Sequence, residues 1–324
     1  MKNKFKAIDL FAGIGGIRMG FECAGFESVY SNDIDKYAAE TYELNFGEID
    51  TSNLFDVVKR RGMKPIPKKF DILLGGFPCQ PFSLAGRMRG FADEGRGDLL
   101  FAIIDILQKR KPKAVFLENV KNLQHHDDEK TFKRIKKELE GAGYYIDAKV
   151  LNSMHYGNVP QTRERIYIVG FRKPRTLMNF RWPDQTPLSK KISNILQKKV
   201  NEKYYYIEDD KFIYPKLKDA VKNKDRVYQY RRVYVRENKN GVCPTLTASM
   251  GVGGHNVPII KDAKGIRKIT PRECARLQGF PESFILPVNQ ADTHLYKQIG
   301  NSVTVPVIAR IAENIRIAME SVIK

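Results

Sequence analysis

Cysteine is scarce in this chain: Cys23, Cys79, Cys243 and Cys274 are the only four in 324 residues. None are paired as C-x-x-C, so neither a thiolate zinc cluster nor any other metal centre is expected. Four thiols are also too few for a disulfide scaffold, and free thiols suit a cytoplasmic protein. No run of about 18 apolar residues occurs, so no bilayer span is expected. The opening MKNKFKAIDLF is basic but lacks the apolar stretch of a secretion signal. Acidic residues are also in deficit. Asp plus Glu is 37 against 56 Lys plus Arg, a net charge of +19. That exceeds what solubility asks for and points to a polyanionic partner, most simply nucleic acid. With 42% hydrophobic and 10% aromatic residues the chain has ample material for a core.

What is present is an alternation. Short apolar runs at Ala7–Phe11, Ser28–Asn32, Asp71–Gly75, Ala114–Leu117 and Arg165–Phe171 read as strands. Helical patterns lie between them, notably after the glycine loop to about Ala24, at Leu99–Gln108 and at Thr131–Leu139. Strands alternating with helices predict a parallel α/β sheet. The character changes near Arg172. Residues 172–236 carry +11 of the net charge and seven of the 15 tyrosines. This predicts a second, smaller domain whose basic, aromatic surface grips phosphates and contacts bases. A helical pattern returns at Val305–Met319.

Ligands of open α/β sheets bind beyond the carboxyl ends of the strands. The first strand is followed by the loop Ala12-Gly13-Ile14-Gly15-Gly16, and the second by Asp33, 17 residues beyond Gly16. A glycine loop with an acid at that distance suggests an adenosine-containing cofactor, although a tight turn and a surface acid would give the same letters. The third run leads to Cys79, flanked by Pro78 and Gln80-Pro81, a stiff loop in which a thiol would be held as a nucleophile. Structural burial is the other reading of a cysteine, and it stands for Cys23, Cys243 and Cys274. The fourth run ends in Glu118, a carboxyl placed either for acid catalysis or for a salt bridge or helix cap.

These residues resemble the signature blocks of the DNA cytosine-5 methyltransferases. The matching stretches are Asp9-Leu10-Phe11-Ala12-Gly13-Ile14-Gly15-Gly16, Gly76-Phe77-Pro78-Cys79-Gln80-Pro81-Phe82-Ser83, Glu118-Asn119-Val120, Gln161-Thr162-Arg163-Glu164-Arg165, Arg267 to Gly279, and Gln298-Ile299-Gly300-Asn301-Ser302-Val303. They stand in the family's order and span nearly the whole chain outside the variable segment. The resemblance implies an S-adenosylmethionine-dependent, Rossmann-like mixed sheet with a smaller target-recognition domain. It implies residues 1–180 plus 298–324 as catalytic and cofactor domain, 181–266 as target-recognition domain and 267–297 as hinge.

The resemblance further implies roles. Cys79 would attack C6 of a flipped-out cytosine. Glu118 would hold the N3 edge, Arg165 would contact the base and steady that carboxylate, and Arg163 would lie near the sugar-phosphate. S-adenosyl-L-methionine would be held by Phe11, Gly13, Ile14, Gly16, Asp33, Ile34, Pro78, Leu99 and Asn301. The family's Gly-Asp-Ile is replaced by Gly47-Glu48-Ile49-Asp50, which leaves Asp50 or Asp56 for the adenine. Gln80, Ser83, Arg231, Arg232, Thr245 and Thr247 would touch DNA. The implied protein is a monomeric modification enzyme of duplex DNA, paired in function with a restriction endonuclease but not in a stable complex. A tRNA-methylating relative and an inactive DNA-binding regulator share parts of this pattern. A dinucleotide oxidoreductase is disfavoured by the mismatch to G-x-G-x-x-G and by the charge.

Overall fold

Elements form where the apolar pattern and the caps agree. In the computed structural model, which describes residues 4–78, 99–208, 212–231, 233–252 and 256–322, the strands are β1 (Lys6–Leu10), β2 (Glu27–Asn32), β3 (Ile72–Gly75), β4 (Ala114–Val120), β5 (Tyr145–Asn152), β6 (Glu164–Phe171), β7 (Val227–Arg231), β8 (Tyr234–Asn238), β9 (Ile259–Lys261) and β10 (Ile266–Lys268). The main helices are α1 (Gly16–Cys23), α2 (Lys36–Phe46), α3 (Leu54–Lys59), α4 (Leu99–Arg110), α5 (Lys130–Gly141), α6 (Tyr214–Ala220), α7 (Pro271–Leu277), α8 (Asp292–Asn301) and α9 (Val305–Glu320). Cys79, Gln80, Ser83 and Arg232 lie outside the described residues. Asp35 caps α2 by accepting from the Tyr37 and Ala38 amides, and Asn53 caps α3 through the Phe55 amide.

The chain divides into two compact units. The first holds residues 1–151, 164–184 and 307–324, and the second 152–163 and 185–306. Residues 298–306, expected with the catalytic domain, group with the second unit, as do 152–163.

The first unit is built on a six-stranded sheet of order β2-β1-β3-β4-β6-β5. Strands β2, β1, β3 and β4 run parallel, and β6 runs antiparallel to β4, so the sheet is mixed. Strand β5, which no apolar run announced, is an edge strand that alternates exposed and half-buried residues. On one face Ile8, Leu10, Leu73, Val115, Leu117, Ile166 and Ile168 pack with α3, α4 and α5. In α5, Thr131, Ile135 and Leu139 recur every four residues as its buried stripe. On the other face Phe21 meets Phe116 edge-on, and Phe116 stacks on Tyr167. The second unit contains a four-stranded antiparallel sheet, β10-β9-β7-β8. Helix α6 covers one of its faces through Leu217 and Val221 against Tyr228, Tyr230, Ile259 and Ile266.

The second unit is tied by a buried ion pair. Arg267, fully buried, forms a two-pronged pair with Glu273 (2.8 Å on each prong), and its Nε donates to Asp262 at 2.7 Å. Glu273 is also the third residue of a capping box, accepting from the Thr270 amide at the start of α7. Every polar atom of this core is engaged, which is the condition under which a buried charge is tolerated.

Helix α1 packs closely on α9. A Cβ added at Gly20 would lie 2.5 Å from Cγ2 and 2.6 Å from Cβ of Ile308, with the Ala309 amide at 3.0 Å. Since Cβ and backbone cannot rotate away, Gly20→Ala is expected to lower unfolding stability by about 1–3 kcal/mol, measured by urea denaturation. Unchanged stability would show that the helices are not held at this distance.

Candidate active site

Strand register sets the site. Leu10 pairs with both Asn32 and Gly75, and Gly75 pairs with Leu117. The residues that follow, Phe11, Asp33, Gly76 and Glu118, therefore lie at one level, the first three beyond their strands and Glu118 in β4, which continues to Val120 against β6. Phe11 turns the chain with φ 55°, a left-handed conformation that a bulky residue adopts at a cost of about 1–3 kcal/mol. Gly13 (φ 54°) and Gly15 (φ 83°) continue the turn into α1. A Cβ at Gly15 would meet the Phe46 ring at 2.2 Å, whereas at Gly13 nothing lies within 4 Å. Gly15 is thus required by packing, and Gly13 lets a ligand approach the backbone.

Asp33 closes this loop. Its Oδ2 accepts from the Gly13 amide at 2.7 Å and its Oδ1 from the Asp35 amide at 2.8 Å. Asp50 lies beside it: the Asp33 amide donates to the Asp50 carbonyl at 3.1 Å. Burial works to raise the Asp50 pKa, but hydrogen bonds from Ser52 and Tyr30 outweigh it and hold the carboxyl below its ordinary value. Ile34, next to Asp33, is 65% exposed. Acid, exposed apolar side chain and open glycine loop fit the hydroxyls, ring and sulfonium-bearing chain of S-adenosylmethionine. Of the other residues expected at that cofactor, Ile14 and Gly16 are buried, Leu99 opens α4 against the core, and Pro78 is exposed.

Glu118 and Arg165 come together because β4 and β6 are antiparallel. Glu118 pairs with Tyr167, so Arg165, two residues before it, is its diagonal neighbour on the same face. Arg165 Nε lies 3.1 Å from Glu118 Oε1, with both side chains largely buried. A Cβ on Gly76 would be 3.5 Å from Glu118 Oε2, so the backbone leaving β3 passes close to this carboxylate. Asn119, to which sequence reasoning gave no role, donates from Nδ2 to the Phe77 carbonyl at 2.9 Å. Backbone two residues before Cys79 is thereby anchored to the strand that carries Glu118.

The remaining predicted residues belong to the second unit. Arg163, expected beside a sugar-phosphate, is instead buried, 1% exposed. It donates to the carbonyls of Leu246 (2.7 Å), Gly300 (3.2 Å) and Ser302. Two of these acceptors lie at the end of α8, where carbonyls lack helical partners and the dipole favours a cation. Gln278 serves the same turn through Ile299 and Ser302, and itself accepts from Gln161 and Thr304. Thr245 donates its hydroxyl to the Thr162 carbonyl at 2.7 Å, while Thr247 is exposed and shares a hydrogen bond with Ser249. Asn301 is exposed at the last position of α8, and Arg231 is exposed at the end of β7. Among the described residues no cluster of His, Cys, Asp or Glu is arranged to hold a metal, and no helix is long and apolar enough to cross a membrane.

Solved structures share this architecture. The Schizosaccharomyces pombe Dnmt2 methyltransferase aligns with a TM-score of 0.72 at 19% identity, covering 99% of each chain. The Entamoeba histolytica methyltransferase EhMeth aligns at 0.70 and 24% identity, over 98% of this chain and 99% of that one. The chain therefore shares the fold of these two methyltransferases, a mixed α/β sheet with a second antiparallel one. The sequence itself goes further. The profile described as C-5 cytosine-specific DNA methylase matches residues 5–316, and the chain belongs to that family. It is similar to the type II methyltransferase M.Bsp6I of Bacillus sp. (strain RFL6), 52% identical over 94% of this chain and 96% of that one. M.NlaX of Neisseria lactamica is 42% identical over 98% of both, and M.HhaI of Haemophilus parahaemolyticus 39% identical over 95% and 93%. The protein is thus an enzyme of the DNA (cytosine-5-)-methyltransferase class.

One carboxyl beneath the loop has no place in the expected chemistry. Asp9 is fully buried, and neither of its oxygens makes a well-formed hydrogen bond among the described residues. Burial pushes its pKa up to about 7, and the charge and amide of Arg18 offset this only in part. A carboxyl whose folded pKa lies above its ordinary 3.8 gives stability in acid that is lost as the pH rises through about 7. Asp9→Asn stays neutral throughout. Its stability relative to wild type is expected to grow with pH across that window, by at most about 1.4 kcal/mol per pH unit, and then to level off. Urea unfolding at pH 5, 7 and 8.5 measures this, and a gap that does not change with pH would contradict it.

Proposed function

We propose that the chain methylates C5 of one cytosine in a short double-stranded DNA site with S-adenosyl-L-methionine as methyl donor. The observation that carries the proposal is the Glu118–Arg165 pair, level with the glycine loop and adjacent to Asn119, which holds the chain two residues before Cys79. Near-complete coverage by type II methyltransferases supports a place in a restriction-modification system, protecting host DNA from a cognate endonuclease. Such an enzyme works as a cytoplasmic monomer and needs no stable complex with the endonuclease.

The chemistry follows from the poor nucleophilicity of C5. The Cys79 thiolate adds to C6, and the electron pair moved toward C5 makes it an enamine carbon. Glu118 at the N3 edge favours protonation there, which draws electrons as C6 is attacked. Arg165 fixes the carboxylate and contacts the base. In the stack C6 cannot be reached, so the nucleotide must be flipped out. When bound, S-adenosylmethionine supplies a methyl group activated by its sulfonium. Phe11, Gly13, Ile34, Asp33 and Asp50 would hold it, with Pro78 and Leu99 bordering it. Once C5 carries the methyl group, loss of its proton returns the electron pair and expels the thiolate.

Glu118→Gln is expected to lower kcat by roughly 10²–10⁴-fold while leaving the KM for S-adenosylmethionine within a few-fold of wild type. Parallel loss of cofactor affinity would move Glu118 into the cofactor pocket. The proposal as a whole is tested with a duplex carrying 5-fluorocytosine at the target. Attack at C6 and methylation at C5 should proceed, but fluorine cannot leave as F⁺, so the base should remain joined to sulfur. A shifted band on a denaturing gel, dependent on S-adenosylmethionine and mapped to the peptide containing Cys79, is the expected result. Cys79→Ser should give no band yet still bind duplex. An adduct on Cys23, Cys243 or Cys274 would overturn the assignment of the nucleophile.

A further inference from the structure

Asp9 stands opposite Ser31 in the register of β1 and β2, two residues before Phe11 turns the chain into the glycine loop. The hydrogen-bond donors around it are spent elsewhere. The Arg18 guanidinium donates to Glu22 at 2.7 Å and to the Tyr42 hydroxyl at 2.6 Å, and it lies over the Phe46 ring. Tyr42 in turn donates to Ser31, not to Asp9. The Gly13 and Asp35 amides are taken by Asp33. Asp9 is left fully buried, with neither oxygen in a well-formed hydrogen bond among the described residues.

The charged and titratable groups that act on it come from three elements. Arg18 and Glu22 belong to α1, Asp33 follows β2, and Tyr42 belongs to α2, while β3 sets the apolar Leu74 beside it. Two of these groups are carboxylates. The one cation is already paired with Glu22. A buried carboxyl in such surroundings keeps its proton until another positive charge arrives. S-adenosylmethionine brings one, because its sulfur carries three carbon substituents. The product left after methyl transfer has an uncharged thioether there and is otherwise the same molecule. Away from water, charges act over several ångströms, so Asp9 need not touch the ligand to feel the difference.

We infer that Asp9 is a specificity-determining residue for the cofactor: it is protonated before binding and gives up its proton when the sulfonium arrives, so that the carboxylate formed favours the methyl donor over its neutral product. The O–H bond breaks with its electron pair left on the carboxylate, and the proton passes to the buffer. The inference rests on the proposed use of S-adenosylmethionine.

In the test, the full-length protein is titrated calorimetrically with S-adenosylmethionine and, separately, with S-adenosylhomocysteine at pH 6, 7 and 8. Each titration is repeated in two buffers of different ionisation enthalpy, which counts the protons released. At pH 7 the wild type is expected to release more protons with the sulfonium than with the thioether. The ratio of the two affinities should move toward S-adenosylmethionine by roughly 3- to 10-fold from pH 6 to pH 8, then level off where Asp9 is already ionised. The ligands' own amino groups titrate nearby, and Asp9→Asn, which has no proton to give, supplies the reference. In that variant the excess release should vanish and the ratio should cease to follow the Asp9 titration. An infrared difference spectrum of the wild type at pH 6 gives a second reading that needs no variant: a protonated-carboxyl band should be lost on adding S-adenosylmethionine and kept on adding the product. Equal proton release with both ligands, a band that stays, or an excess that survives in Asp9→Asn would overturn the inference and leave the cofactor assignment standing. Failure of both ligands to bind at any pH would sink the proposed activity and this inference with it.

Discussion

Everything at the site depends on four parallel strands being held in one register. In a parallel sheet the register of one pair fixes the next, and here Asn32, Leu10, Gly75 and Leu117 form one row. With strands about 4.8 Å apart, the row from β2 to β4 spans about 14 Å. Acid, glycine loop, the approach to Cys79 and Glu118 are set out along it in that order. A slip of one residue in β4 would send Glu118 to the opposite face of the sheet and put a neighbouring residue in its place. The apolar side chains under the row therefore hold the chemistry in alignment as well as supplying the core.

The antiparallel strand adds what a parallel one cannot. Parallel neighbours deliver their carboxyl ends to the site, and β6 delivers its first residues. Arg165 consequently arrives at Glu118 at the moment the chain enters the first unit, having just left the second. The five residues Gln161–Arg165 serve two bodies. Gln161 binds the end of α7 and Arg163 the end of α8, while Arg165 meets a carboxylate in the sheet. Arginines two positions apart thus differ in what they do because the unit boundary falls between them.

Much of this was legible in the sequence, for identifiable reasons. β1, β3, β4 and β6 are buried on both faces and write themselves as apolar runs, and the rule that ligands sit beyond strand ends located Asp33 and Glu118. β5 was hidden because an edge strand keeps Asp147 and Lys149 in its alternation. α2 was hidden because its buried residues are Ala38, Ala39, Thr41 and Tyr42, too small or too polar to make a stripe. Asp9 looked like one letter of a motif, and only the fold reveals that its carboxyl is enclosed. Asn119 lay inside a recognised block, but its bond to Phe77 depends on two strands meeting, which spacing does not encode. The direction of Arg163 was likewise set by partners more than 80 residues away. Composition changed at Arg172, whereas the first unit continues to Asp184. Composition records what water sees, and this stretch is anchored from beneath by Lys113 and Asn314.

The contact between Gly20 and Ile308 joins residues almost 300 positions apart. Helix α1 carries the glycine loop at its start, and its inner surface is finished by α9, far along the chain. A ribosome making this protein would produce the sheet, the loop and the whole of the second unit before the helix that completes the first. During that interval the apolar side of α1 has no native cover, and contacts of such long sequence separation form slowly. The glycine loop is thus synthesised well before the helix that backs α1.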